Sequence, residues 1–293
     1  TMKVFVTGGT GLIGRALVKR LVGDGHDLTV LTRQSLKSTG AITYINAIDD
    51  LDMRQDIVIN LAGVGLADRR WSSTYKTEIR SSRIDLTKAL VTRLRSTGLP
   101  DLFISGSAIG IYGQSAEHTF SENDPVGTGF SAELCRDWEA SAGELDDQGT
   151  RCVLLRTGVV LDDALGAYPQ MTQSFRFGLA SWMGQGDHWL SWIHLTDMVG
   201  AIIHCIDHPE VSGPVNMTAP NPVTHRTFAD EVRSVTTTIM GIGMPGWLMR
   251  LMLGEMADEL LLTGQRVVPS KLLSAGYQFQ FGALSDAVAD LER

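Results

Sequence analysis

The sequence has few cysteines, no long apolar run and no surplus of positive charge. Its three cysteines, Cys135, Cys152 and Cys205, lie far apart in 293 residues. Their odd number and spacing suit neither a disulfide framework nor a zinc site. They fit a reducing cytoplasm, with each cysteine a small buried side chain. No stretch of about 18 apolar residues occurs, so no membrane span is expected. A formal net charge of −8 argues against a general affinity for nucleic acid or anionic membranes. The chain enters its first strand with no charged segment leading into an apolar one, so no secretory leader is expected. Internal repeats and low-complexity segments are absent as well. What remains, 43% hydrophobic and 20% charged residues, is the composition of an ordinary globular protein. The length suits one large α/β domain with an appended lobe.

Strand and helix alternate through the first half. Lys3 to Thr7 reads as a short apolar strand, Leu12 to Val22 as a helix, and "DLTVLT" as a second strand. "DIVINLAG" is a buried strand, followed by a long helical stretch that Gly98 and Pro100 stop. "DLFISGSAIGIYG", a helix from "FSAELCRDWEA", and "RCVLLRTGVVL" continue the beat. This order predicts an α/β fold, a Rossmann-type doubly wound parallel sheet with right-handed crossovers. After Asp162 the regularity weakens. The expected division is a nucleotide-binding domain over 1–165 joined by roughly 190–218, with a smaller lobe from 166–189 and 219–293.

"TGGTGLIG" places Gly9, Gly11 and Gly14 in GxGxxG spacing between a strand and a helix. Gly9 is expected to make the tight turn. Gly11 lets the backbone approach a pyrophosphate, and Gly14 lets the helix pack on the strand. The helix N-terminus then offers free N–H groups to phosphates. An Asp or Glu at the end of the second strand would hold the ribose hydroxyls of NAD. Thr32 and Arg33 stand there instead, and an arginine fits a 2′-phosphate. The expected cofactor is NADP(H).

These motifs, with "NLAG", "SGSAIGIYG" and "SWIHLTDM", have the form of extended short-chain dehydrogenases/reductases. "RRWSSTYKTEIRSSR", "LLRTGVVL", "GPVNMTAPNPVT" and "LGEMADELLLTGQRVVPSKLL" are more specific. Together they resemble the YfcH-like "epimerase family" of atypical members of that group, over nearly the whole chain. The resemblance implies a phosphate loop of Gly8, Thr10, Gly11, Leu12 and Ile13, with Thr32 and Arg33 on the 2′-phosphate. It implies Leu61, Ala62 and Gly63 over the adenosine end, and further NADP contacts at Glu78, Arg83 and Arg156. Physically, the two arginines are anion partners, whereas Glu78 suits orienting an arginine or a ribose hydroxyl.

Short-chain dehydrogenases work with a serine and a Tyr-xxx-Lys pair, in which the lysine lowers the tyrosine pKa. Ser107 stands at the serine position. The tyrosine position falls on or next to Phe130 and the lysine position on Leu134 or Cys135, and this segment contains no Tyr and no Lys. Ser107 and Tyr112 are therefore the candidate catalytic residues, although a buried tyrosine more often serves structure. His194 is expected to be structural, and Thr224 to cap a helix. No metal-ligand spacing occurs. Trp182, Trp189 and Trp192 lie close together, either to stack on a ligand or to form core beneath a lobe.

The leading expectation is an NADP(H)-dependent oxidoreductase acting on a small molecule. The alternatives are a nucleotide-sugar epimerase and a non-catalytic NADPH-binding sensor or scaffold. The sequence names neither the substrate nor an oligomeric state.

Overall fold

The computed structural model describes all residues, 1–293. Its centre is a seven-stranded sheet of β1 (Lys3–Thr7), β2 (Asp27–Leu31), β3 (Ile42–Ile45), β4 (Ile57–Asn60), β5 (Leu102–Ala108), β7 (Arg151–Thr157) and β12 (Gly213–Met217). The order across the sheet is β12-β7-β5-β4-β1-β2-β3, and every pairing is parallel. Helices α1 (Leu12–Gly23) and α6 (Leu195–Asp207) cover one face, and α3 (Leu86–Thr97) and α4 (Phe130–Gly143) the other. Alternation along β1 shows why both faces need cover. Val4 and Val6 pack with Leu17, Leu21 and Ile202, whereas Phe5 packs with Leu90, Leu94 and Phe103. The doubly wound fold is the one expected.

The long helical stretch before Gly98 is not uniform. α2 (Ser73–Arg80) and α3 are joined by a wider π-type turn, Ser81–Asp85. Ser72 starts the run by accepting the Tyr75 N–H at 3.1 Å.

Beyond β7 the chain builds a second core. β8 (Val159–Leu161) pairs with β11 (Trp192–His194), and α5 (Ala167–Thr172) lies between them in sequence. β9 (Leu179–Met183) pairs with β14 (Met240–Met244), and β10 (Trp189–Leu190) with β13 (Val223–Thr224). These elements and α7 (His225–Val235), α8 (Gly246–Leu253) and α10 (Leu284–Leu291) gather round Trp192, Phe175, Phe228 and Val288. Thr224 caps α7 through the Thr227 N–H, as expected. A third piece, β6 (Thr119–Phe120) with β15 (Arg266–Val267) and α9 (Ser270–Ser274), packs beside β12. Asp197 on α6 fastens the C-terminal segment. Its carboxylate accepts the Gln280 and Phe281 N–H groups at 2.8 Å each and the Tyr277 hydroxyl at 3.0 Å. All three cysteines are buried and free. No helix is long and apolar enough to cross a membrane.

Candidate cofactor and substrate site

The sheet order reverses between β1 and β4, so the loops leaving them diverge and open a groove of about 680 Å³. Gly8, Thr10 and Gly11 line it from the loop before α1. Thr32 and Arg33 line it from the end of β2, and Leu61, Ala62 and Gly63 from the end of β4. Gly11 starts α1 without a side-chain cap, which leaves the first N–H groups of the helix for a ligand.

The glycines divide their duties differently from the expectation. The tight turn belongs to Gly8, not Gly9. Gly8 has φ +70°, and a Cβ there would lie 2.7 Å from the Leu61 carbonyl carbon. Gly9 is excluded from bearing a side chain by packing, because its Cβ would come within 2.7 Å of Val30 Cγ1. Gly14 lets α1 pack closely, as expected: a Cβ there would collide with the Gly8 carbonyl oxygen. A Cβ on Gly11 would meet only that oxygen, at 3.3 Å. The missing side chain of Gly11 therefore serves the groove more than the fold.

Arg33 is exposed at the rim, and Thr32 is buried beside it. Asn46 fixes this corner by donating to the Thr32 carbonyl at 2.7 Å, and it lines the groove too. The sequence reading missed Asn46, and also Ser81, Ser82 and Asp85, which the π-type turn brings into the lining.

Five residues carried over by resemblance stand outside that lining. Leu12 lies against Gly166, whose Cβ would come 2.9 Å from Leu12 Cδ2, and Ile13 packs on the core. Glu78 is half-exposed and pairs with Arg69 at 3.4 Å. Arg83 donates to the carbonyls of Val64 at 2.9 Å and Ile79 at 3.3 Å, and it lies over the Trp138 ring. It thereby fastens the turn after Gly63, and burial lowers its pKa. Arg156 is 5% exposed and reaches Glu139 on α4.

Around Arg156 runs a buried polar chain that joins β7, α4 and the end of β5. Its Nε and Nη2 donate to Glu139 Oε1 and Oε2 at 2.8 and 2.9 Å. Burial opposes the Arg156 charge, but the Glu139 carboxylate outweighs it and the arginine pKa is raised. The Ser107 hydroxyl, at the end of β5, donates to the same Glu139 Oε1 at 2.7 Å. Arg156 Nη1 also donates to the Tyr112 oxygen at 3.0 Å, and the Tyr112 hydroxyl donates to Asn216 Oδ1 at 2.6 Å. Tyr112 is 3% exposed and stacked on Phe120. Burial raises its pKa against the pull of Arg156. In this geometry the Tyr112 proton is held by Asn216 and one of its lone pairs by Arg156, so the phenol is oriented inside the protein. On α4, Ser131 follows Phe130 and is buried with an unpartnered hydroxyl, and Cys135 is buried beside Ser107. Burial pushes the Cys135 thiol up to about 11, so it stays protonated.

The three tryptophans separate. Trp192 is core, and its Nε1 donates to Asn221 O. Trp189 binds the Ala116 carbonyl, and Trp182 faces a cavity in the second lobe. His194 is structural, accepting the Thr196 N–H at 3.1 Å to cap α6.

Residues 4–217 match the model of the NAD dependent epimerase/dehydratase family. The chain belongs to that family. Residues 244–291, which span α8 to α10, match a domain of unknown function, DUF1731. An epimerase family protein of Mycobacterium leprae is 36% identical over 294 residues, covering 98% of this chain and 94% of that one. The crystal structure of human epimerase family protein SDR39U1 with NADPH superposes with a TM-score of 0.90 at 30% identity, covering 99% of both chains. A UDP-galactose 4-epimerase superposes with a TM-score of 0.77 at 18% identity over 99% of this chain and 97% of that one, a likeness of fold.

Proposed function

We propose that this chain is an NADP(H)-dependent oxidoreductase of the short-chain dehydrogenase/reductase type, acting on a small molecule in a reducing cytoplasm. One observation carries the cofactor choice: Arg33, without an acid beside it, stands at the rim of the groove where β2 ends. The relative SDR39U1, crystallised with NADPH, supports it. On this reading Gly8, Thr10, Gly11 and the backbone of Leu12 and Ile13 hold the pyrophosphate. Thr32 and Arg33 hold the 2′-phosphate, and Leu61, Ala62 and Gly63 flank the adenosine. Arg83 orders the turn after Gly63, Arg156 orders Glu139, and Glu78 orients Arg69. Bound NADP(H) would supply or accept a hydride. The chain's own part is to position the reacting oxygen at Ser107, whose hydroxyl would turn from Glu139 to donate to that oxygen. With Tyr112 committed elsewhere, the proton exchanges with solvent.

A second reading, an NADPH-binding protein without turnover, is favoured by the absence of Tyr and Lys from α4. Two measurements decide. Titration with NADPH and NADH should show at least tenfold preference for NADPH, and equal affinities would refute the cofactor assignment. Single-turnover oxidation of bound NADPH across a set of carbonyl compounds should reveal hydride transfer. Its complete absence would leave the second reading in place.

A further inference from the structure

The phosphate loop touches the second lobe through Leu12 and Gly166, and Gly166 opens α5. About one turn further, Met171 of α5 forms part of the wall of a separate cavity of about 230 Å³. Trp182, Met183, Phe228, Met244 and Met249 complete its apolar wall, and the uncharged Gln170 and Gln173 line it too. His225, the first residue of α7, is 7% exposed and lines the same space. Neither of its ring nitrogens finds a hydrogen-bond partner in the protein. The imidazole therefore has hydrogen-bonding capacity to offer to whatever enters the cavity that it lines. Ser174 and Ser181 hydrogen-bond one another at 2.8 Å, which leaves His225 and the two glutamines as the polar groups open to an uncharged ligand.

Charge is missing from this cavity. No lysine or arginine lines it. Arg226 lies beside it, stacked on the Trp182 ring at 3.9 Å and paired with Asp230 at 3.5 Å. His225 itself is held neutral. Burial and the neighbouring His188 ring, 4.0 Å away, push its pKa down to about 3, and the N-terminus of α7 also opposes a positive charge. A phosphate or carboxylate entering here would lose its hydration and meet no cation.

We propose that this cavity is the recognition pocket for an uncharged, ring-sized apolar end of the substrate, hydrogen-bonded by His225. Its volume lies below the roughly 300–1,000 Å³ of pockets that take drug-sized ligands, which limits the occupant to a small group. The inference rests on the oxidoreductase reading only in calling the occupant a substrate.

The test uses the full chain saturated with NADP⁺, so that no turnover intervenes. Two probes of similar size are acetophenone, a neutral aromatic ketone, and benzoate, its anionic counterpart. Equilibrium binding by ligand-observed magnetic resonance should favour acetophenone at least tenfold. His225→Leu should weaken acetophenone about fivefold, the equivalent of one ordinary hydrogen bond, and His225→Gln should restore most of it. Met244→Trp, which fills the cavity, should abolish acetophenone binding and leave NADP⁺ affinity unchanged. UDP should not displace the ketone. Benzoate or UDP binding in the cavity as tightly as acetophenone would overturn the proposal. So would ketone binding indifferent to Met244→Trp, or no saturable ketone binding. Repeating the ketone titrations without nucleotide separates this result from any failure of the cofactor assignment.

Discussion

Arg156 and Glu139 form a two-pronged buried ion pair, Nε to Oε1 at 2.8 Å and Nη2 to Oε2 at 2.9 Å, linking β7 to α4. The pair also sets the chemistry of Ser107, because Glu139 Oε1 accepts the serine proton. The helix that would carry a tyrosine and a lysine in ordinary short-chain dehydrogenases instead carries the carboxylate that orients a serine. Ser107 is thus an oriented hydroxyl held by a carboxylate, with no tyrosine or lysine beside it on α4.

Breaking the pair from one side should be costly. Glu139→Gln leaves a buried guanidinium without a counter-charge, and the loss should be about 3–5 kcal/mol in urea unfolding. Replacing both partners with apolar residues, Glu139→Leu with Arg156→Met, should recover most of it. A single variant as stable as the parent would show that the pair is solvated in solution.

Tyr112→Phe removes the oxygen that accepts from Arg156 and donates to Asn216. The expected cost is about 1–3 kcal/mol of stability, with cofactor affinity unchanged. Turnover lost with no change in stability would return Tyr112 to the mechanism. Ser107→Ala, in contrast, should reduce turnover of any carbonyl substrate while leaving NADPH affinity in place.

Gly11 and Gly14 should respond in opposite ways. Gly11→Val needs only a small shift of the Gly8 carbonyl and should keep its circular dichroism while losing NADPH binding, since the side chain enters the pyrophosphate's space. Gly14→Val drives a side chain into the Gly8 carbonyl and should destabilise the whole domain. Tight NADPH binding by Gly11→Val would confine that glycine to the turn.

Acid should act through His225. Its folded pKa of about 3 lies below the roughly 6.5 of an exposed histidine. Between those values the unfolded chain binds the extra proton and the folded chain does not. The contribution of His225 is thus complete above about pH 6.5 and is lost progressively as the pH falls, by at most about 1.4 kcal/mol per pH unit. Stability curves from pH 7 to pH 5 should be flatter for His225→Gln than for the parent. Identical curves would place the histidine in contact with water.

The sheet was legible because its strands are short apolar runs punctuated by glycine, and because the loop before α1 follows a spacing imposed by backbone clearance. The spacing did not reveal which glycine turns the chain, since Gly8 and Gly9 are adjacent and only the folded backbone gives Gly8 its positive φ. Asp85, Ser81 and Ser82 were hidden because helical periodicity does not register one widened turn in a long helix. The Arg156–Glu139 pair was hidden for another reason. Either residue alone reads as a surface charge, and only the packing of α4 on β7 brings them together. The same holds for His188 and His225, far apart in sequence and in contact through β10 and β13.

The central claim is that Arg33 selects the phosphorylated cofactor, and the affinities of NADPH and NADH measured on the parent and on Arg33→Ala test it most directly. Removing a charge-assisted contact of about 1.5–3 kcal/mol should weaken NADPH roughly ten- to hundredfold and leave NADH nearly unchanged. An equal loss for both cofactors, or no loss for NADPH, would contradict the account.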